Sequence, residues 1–337
     1  MQVGLALPHY DTSFEGKPAS WESVARTAQT AEASGFDSIW VSDHLFLDWG
    51  KYGGPGDPQG ALECLMTVSA LSQVTQRVRI GTLAICNDFR NPGLLAKMLA
   101  SIDHLSGGRL EVGLGAGWYE PEYEAAGFAF SRPGLRIARL GESVDLIRRL
   151  LEGEEVTHKG RFYEMDRGIC RPVSLQRPHP PIWIGGKGDY LLKTVARRAD
   201  GWNFSWLGDI ATYKERLEVA RRACEAEGRD PATLRLSVGV YGLVGIDDAD
   251  VRKRFDRLAE RTPPGVLSGL DGASAVSFEE FKRSRFAGTV GEVTDRLGEL
   301  KDIGVEEVIF TLGTLPFQLG ALEDVEIVGA EVAPHLK

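Results

Sequence analysis

The chain has 337 residues, 43% of them hydrophobic and 26% charged, a composition that can bury a large core. Its 39 Lys and Arg stand against 48 Asp and Glu, for a formal charge of −9, and the cations are scattered, so no nucleic acid is expected as a partner. No segment is long and apolar enough to span a bilayer, Pro8 interrupts the first apolar run too early for a secretory leader, and Cys64, Cys86, Cys170 and Cys224 match no zinc or C-x-x-C spacing; the expectation is a cytoplasmic protein with reduced thiols, no metal and no membrane.

In chain order, Val3–Pro8 reads as a first buried strand. Ser20 then caps a helix with its apolar stripe at Trp21, Val24, Ala25, Ala28 and Ala31, and Gly35 stops it. Asp37–Val41 is the second strand, and it runs directly into Ser42-Asp43-His44. Residues 48–60 are rich in Gly and Pro and hold Trp49 and Tyr52, as a mobile loop over a site would. Val78–Ile85 is the third strand and ends in Cys86, Asn87 and Asp88. Leu110–Gly115 is the fourth, followed by Ala116, Gly117, Trp118 and Tyr119 at the start of an insertion over 117–134. A helical stripe at Leu140, Val144, Ile147 and Leu151 stops at Gly153, and 154–165 reads as a hairpin turning at Lys159-Gly160. Pro181–Gly185, Gly201–Ser205, Leu234–Gly242 and Glu307–Leu312 complete the strands. Residues 261–277 are loop-like and suit a lid, while Thr289 and Glu292 form a capping box before Val293, Leu297 and Leu300.

Short, continuously apolar strands alternating with helices indicate a parallel sheet covered on both faces. The number of strands favours an α/β fold of the (β/α)8 TIM-barrel kind with insertions over an open sheet, as one domain across 1–337.

Four motifs carry candidate chemistry. Asp43-His44 is either a capping Asp beside a surface His or an acid–base pair at a barrel mouth, where the C-terminal strand ends converge. Gly113, Gly115 and Gly117 imitate a dinucleotide fingerprint, but Trp118, Tyr119, Glu120 and Pro121 are poor chemistry for a helix start, so close approach of backbone to something flat or anionic is preferred, with tight barrel-wall packing as the alternative. Gly185-Gly186-Lys187-Gly188 opens a helix and suits phosphate, or is a plain turn. Asn87 could hydrogen-bond a ring edge, and Cys86 has no activating neighbour. Metal hydrolases lack support because His9-Tyr10-Asp11 is the only ligand-like group on the first strand; no G-x-S-x-G elbow is present, and Lys187 suits phosphate better than a Schiff base.

Taken together, "SDH", "IGT", "LSGGRLEVGLGAGW", "GRFYEM" and "PPIWIGG…VARRADGWN" resemble the luciferase-like monooxygenase superfamily, in order and spacing over about residues 1–315. The nearest resemblance is to its branch of oxidoreductases dependent on the deazaflavin coenzyme F420, with FMN-dependent monooxygenases as the sister branch. The resemblance implies a cofactor ring at the strand tips, with Asp43 against the ring or its pyrimidine edge and His44 as the acid–base group. It implies a bulge with a non-proline cis peptide near Leu83-Ala84 behind the ring, joined by Cys86 and Asn87. Gly115, Ala116 and Gly117 would pass the cofactor, and Gly185, Gly186 and Lys187 would hold its phosphate, with Lys51 or Arg90 for an acidic tail. Members acting on sugar phosphates carry a carboxylate where this chain has Trp118, which points to an apolar or cyclic small-molecule substrate walled by Trp49, Trp118 and Tyr119. The implied activity is hydride transfer; the alternatives are an FMN monooxygenase fed by a separate reductase, or a relative that binds flavin without turnover. A homodimer is expected on resemblance alone.

Overall fold

The computed structural model describes residues 1–267 and 276–337. Residues 268–275, within the predicted lid at 261–277, lie outside the described residues.

Eight parallel strands form the architecture: β1 (Gln2–Ala6), β2 (Ser38–Val41), β3 (Arg79–Thr82), β4 (Leu110–Gly115), β5 (Ile182–Gly185), β6 (Gly201–Leu207), β7 (Arg235–Gly245) and β8 (Glu307–Thr311). Each pairs with the next in sequence, and β8 returns to β1, with Val308 opposite Val3, so the sheet closes into a barrel. Every predicted strand is one of these eight. The third is shorter than expected: β3 stops at Thr82, the Leu83–Ala84 peptide is cis, and pairing with β4 resumes at Ile85–Cys86. A second non-proline cis peptide, at Ser205–Trp206, had no sequence expectation.

The helices α1 (Trp21–Ser34), α2 (Cys64–Val74), α3 (Pro92–Leu105), α4 (Glu120–Ala125), α5 (Pro133–Glu152), α6 (Asp189–Arg198), α7 (Ile210–Ala226), α8 (Asp248–Glu260), α9 (Phe278–Ser284) and α10 (Val290–Asp302) follow from local chemistry. Ser20 and Ser23 cap α1 reciprocally, and Gly35 closes it in the left-handed conformation. Thr289 and Glu292 do the same at the start of α10. The buried stripes of the outer helices lie against Val, Ile and Leu of the strands in one continuous core.

Two tryptophans fill the barrel interior by the same device. Trp40 lies opposite Gly81 on the next strand, and Trp183 lies opposite Gly201. A Cβ on Gly81 would stand 2.2 Å from the Trp40 ring, and one on Gly201 would stand 2.1 Å from the Trp183 ring, so each ring occupies the space its partner gives up. The indole N–H groups need acceptors at this depth. Trp183 donates to Glu111 Oε2 at 2.7 Å, and Trp40 donates to Ser38 Oγ at 2.7 Å and to Glu307 Oε1 at 3.2 Å. Glu111 is paired with Arg79. Glu307 is buried with no ion-pair partner among the described residues, and burial, with the Glu111 charge adding to it, pushes its carboxyl up to about 7.

Three predicted segments take the following forms. Residues 48–60 form the tip and one flank of a hairpin, Phe46–Asp48 against Pro58–Gly60, with Asp48 accepting from the Gly50 N–H at 2.6 Å at the start of the connecting loop. The hairpin predicted over 154–165 is Val156–Lys159 against Glu164–Gly168; its turn is longer because the Glu142 carboxylate, reaching over from α5, accepts from the N–H groups of Arg161 and Tyr163 at 3.1 and 2.9 Å. No helix starts at Gly117, as a dinucleotide fingerprint would require: α4 begins at Glu120, with Pro121 in its first turn, where proline's missing N–H costs nothing.

Candidate active site

The C-terminal ends of the strands surround a cavity of about 800 Å³. The Leu83–Ala84 bulge brings Ala84 between the ends of β4 and β5, where a Cβ on Gly115 or Gly185 would sit 3.6 or 3.9 Å from the Ala84 Cβ, in ordinary contact. Leu83, Ala84, Gly115, Ala116 and Gly185 together leave a shelf on which a flat ring system can lie.

His44 stands at the wall above that shelf. Its Nδ1 is 2.9 Å from Glu122 Oε1, and the other oxygen of Glu122 accepts from the Leu45 N–H at 2.9 Å. Glu122 is 1% exposed, carried inward on α4 beside Tyr123 while Glu120 and Glu124 face outward. A carboxylate held this way fixes the imidazole's orientation and tautomer, with Nδ1 protonated and Nε2 free to take a proton, and compensates the imidazolium that forms. Trp118 meets the His44 ring edge-on, with centroids 5.4 Å apart, and Lys51 lies 3.9 Å above the Trp118 ring.

Asp43 lines the cavity with its carboxylate already engaged. Both its oxygens bind Arg90, at 2.6 and 2.9 Å, and it also accepts from the Cys86 N–H at 2.9 Å. Arg90 reaches Glu63 as well, so the tip of β2, the bulge after β3 and the start of α2 are tied together. Arg90 is thereby engaged and is not an open rim cation. Cys86 lines the cavity, but burial pushes its thiol up to about 12 and its sulfur contacts the Tyr123 hydroxyl at 3.0 Å, so it is no nucleophile.

On the opposite side, Gly186, Lys187 and Gly188 lead into α6, whose N-cap Gly188 offers no side-chain cap, leaving first-turn N–H groups free. The Asp189 carboxylate there is drawn off by Arg216. Lys187 donates to the Trp206 carbonyl at 3.1 Å, and burial lowers its pKa. Gly117, at φ 71°, has its α-carbon against the Tyr123 hydroxyl, and Arg136 donates to the Gly117 carbonyl at 3.3 Å.

Three predicted residues lie elsewhere. Asn87 is fully buried, turned to the Tyr163 hydroxyl at 3.2 Å and to Asp88, and does not line the cavity. Trp49 packs under the hairpin against Tyr10 and Tyr52, and Tyr119 packs against Phe46 behind His44. In their place the cavity has Tyr10, Ser42, Tyr52, Trp206 and Phe317, besides Glu122 and Arg136. Tyr10 had been weighed only as part of a metal-like triplet, and Phe317 lies in a segment without motifs. No cluster of His, Cys, Asp or Glu able to hold a metal is found among the described residues, and no helix among them is long and apolar enough to cross a membrane.

Comparison with known proteins agrees with the barrel fold. A family described as luciferase-like monooxygenase matches residues 1–305. An FMNH2-dependent dimethylsulfone monooxygenase from Pseudomonas putida is 25% identical over 93% of this chain and 87% of its own. An F420-dependent hydroxymycolic acid dehydrogenase from Mycobacterium tuberculosis is 31% identical over 74% of this chain and 65% of its own. The crystal structure of a monooxygenase from Streptomyces bottropensis superimposes with a TM-score of 0.76 over all of both chains at 24% identity.

Proposed function

We propose, from the premise that this chain belongs to the luciferase-like monooxygenase family, that it is an oxidoreductase moving a hydride between coenzyme F420 and a small apolar or cyclic substrate. The observation that carries this reading is the His44–Glu122 pair in the same cavity as the shelf of Leu83, Ala84, Gly115, Ala116 and Gly185, because hydride transfer to or from a carbon bearing oxygen needs one proton moved at the same place. When bound, the deazaflavin supplies or accepts that hydride. Ala84, Gly115 and Gly185 would take the ring. The N–H groups at the start of α6, with Lys187, would take the phosphate, and Arg136 and Lys51 would face the acidic tail. His44 exchanges the substrate proton through Nε2, and Glu122 holds the ring in place. Trp118, Tyr52, Trp206 and Phe317 present aromatic surface to the substrate and keep water away from the proton transfer.

A second reading, an FMN-dependent monooxygenase with a separate reductase, is supported by the likeness to the dimethylsulfone enzyme along almost the whole chain. Titration with F420 and with FMN, followed by cofactor fluorescence, separates the two. The expected result is micromolar or tighter binding of F420; tight FMN binding with negligible F420 binding would sink the first reading. His44→Ala is expected to keep cofactor affinity and lose about 10²–10⁴-fold in turnover. Tight binding with no turnover dependent on His44 would mean a flavin carrier instead.

A further inference from the structure

Behind the strand tips runs a second chain of polar groups that the proton transfer at His44 does not use. His9, 1% exposed, places Nδ1 at 2.8 Å from the Leu7 carbonyl oxygen and Nε2 at 3.0 Å from Ser42 Oγ. Ser42 Oγ is in turn hydrogen-bonded to the Tyr10 hydroxyl. Tyr10 and Ser42 line the cavity, and His9 stands behind them.

The direction of every hydrogen in this chain is fixed by its far end. A carbonyl oxygen only accepts, so His9 Nδ1 carries the proton. The ring is neutral: it has no carboxylate contact among the described residues, and burial lowers its pKa to about 4. Nε2 therefore offers a lone pair, and Ser42 must donate to it. The single Ser42 hydrogen is then spent, so from Tyr10 it can only accept. The Tyr10 hydrogen is spent in its turn, and the phenol oxygen is left with lone pairs alone. The reversed chain would set the bare Nδ1 against the Leu7 oxygen at 2.8 Å, two acceptors face to face.

The neutral form of His44 is polarised in the same sense, since the Glu122 carboxylate takes the Nδ1 hydrogen and leaves Nε2 as the acceptor. The Tyr10 and His44 ring centroids are 6.5 Å apart. The cavity thus shows two neighbouring acceptors.

We infer that the substrate is an alcohol carrying a second O–H or N–H donor beside the reacting hydroxyl, the reacting group donating to His44 Nε2 and the second to Tyr10. This rests on the reading of the cavity as a substrate chamber. A vicinal diol or amino alcohol on an apolar ring satisfies both acceptors, with its carbons against Trp206 and Phe317. A carbonyl or ether oxygen facing Tyr10 meets lone pairs and is rejected.

Two experiments test this. In ¹⁵N-histidine-labelled protein, NMR is expected to show His9 as the Nδ1–H tautomer from about pH 6 to pH 9; an Nε2–H tautomer or an imidazolium there overturns the direction of the chain. Titrations of wild type, Tyr10→Phe and Ser42→Ala follow tryptophan fluorescence, with and without F420, using cyclohexanol, cis-1,2-cyclohexanediol and 2-hydroxycyclohexanone as probes. Wild type is expected to bind the diol about 5–10-fold more tightly than cyclohexanol, an advantage Tyr10→Phe loses while cyclohexanol affinity stays within about twofold. Ser42→Ala frees the Tyr10 hydrogen and is expected to improve binding of the hydroxyketone. No diol advantage in wild type, or equal weakening of both alcohols by Tyr10→Phe, overturns the inference. Neither readout needs turnover, so a failed cofactor titration and a failed diol preference are separate results.

Discussion

Replacing Glu307 by Gln is expected to stabilise the protein in alkaline buffer and not in acid. The carboxyl sits inside the barrel with Ser38 and Trp40 donating to it, and burial raises it from the ordinary 4.5 to about 7. The folded chain then holds that proton more tightly than the unfolded chain does. Stability from this group is complete below about pH 4.5 and is lost as pH rises through about 7. The whole gap corresponds to at most about 3 kcal/mol. Gln keeps an oxygen for Ser38 and Trp40 and never ionises, so near pH 8 the variant should exceed wild type by about 1–3 kcal/mol, after about 1 kcal/mol is allowed for a poorly partnered amide. Near pH 4.5 the two should agree, or wild type should lead slightly. Urea unfolding of both proteins at three pH values between about 4.5 and 8 measures this, and the difference between them cancels all other titrating groups. A variant less stable than wild type near pH 8, or a difference that does not change with pH, would refute the reasoning.

Glu122→Gln should lower turnover about 10–100-fold with cofactor affinity unchanged, because one of the two donors it serves, His44 Nδ1 and the Leu45 N–H, then meets an amide N–H; steady-state kinetics beside cofactor titration checks it, and equal loss in both would make Glu122 a purely structural residue. Gly117→Ala should destabilise the fold by about 2 kcal/mol or more in urea unfolding, since the added carbon would stand 1.8 Å from the Tyr123 hydroxyl on a backbone at φ 71°, and a change under about 0.5 kcal/mol would contradict that packing.

The barrel was legible because its strands are continuously apolar and its helices carry explicit start signals at Ser20 and Thr289 and stop signals at Gly35 and Gly153. The residues that follow a strand tip directly, such as His44, Gly115 and Gly185, were legible for the same reason, since the end of a strand fixes where they stand. Glu122 was not: α4 carries three glutamates, and only its packing beside Tyr123 selects which one turns inward. Trp49 misled because aromatic residues in a Gly/Pro-rich stretch look like an exposed wall, whereas Tyr10, 39 positions earlier, folds against it. Arg90 misled because its partners Asp43 and Glu63 come from two other segments, and such pairing has no signature along the chain.

That pairing at Asp43 shapes what the cavity looks like from a distance. Asp43 and Glu63 share Arg90, and Asp88 nearby is paired with Arg139, while Lys51, Arg136 and Lys187 in the cavity lining have no carboxylate partner among the described residues. A chain of net charge −9 thus keeps three unpaired cations in the lining of its cavity. Those cations attract a phosphorylated, acidic cofactor, so its capture should slow as ionic strength rises, while entry of an uncharged alcohol stays indifferent to salt.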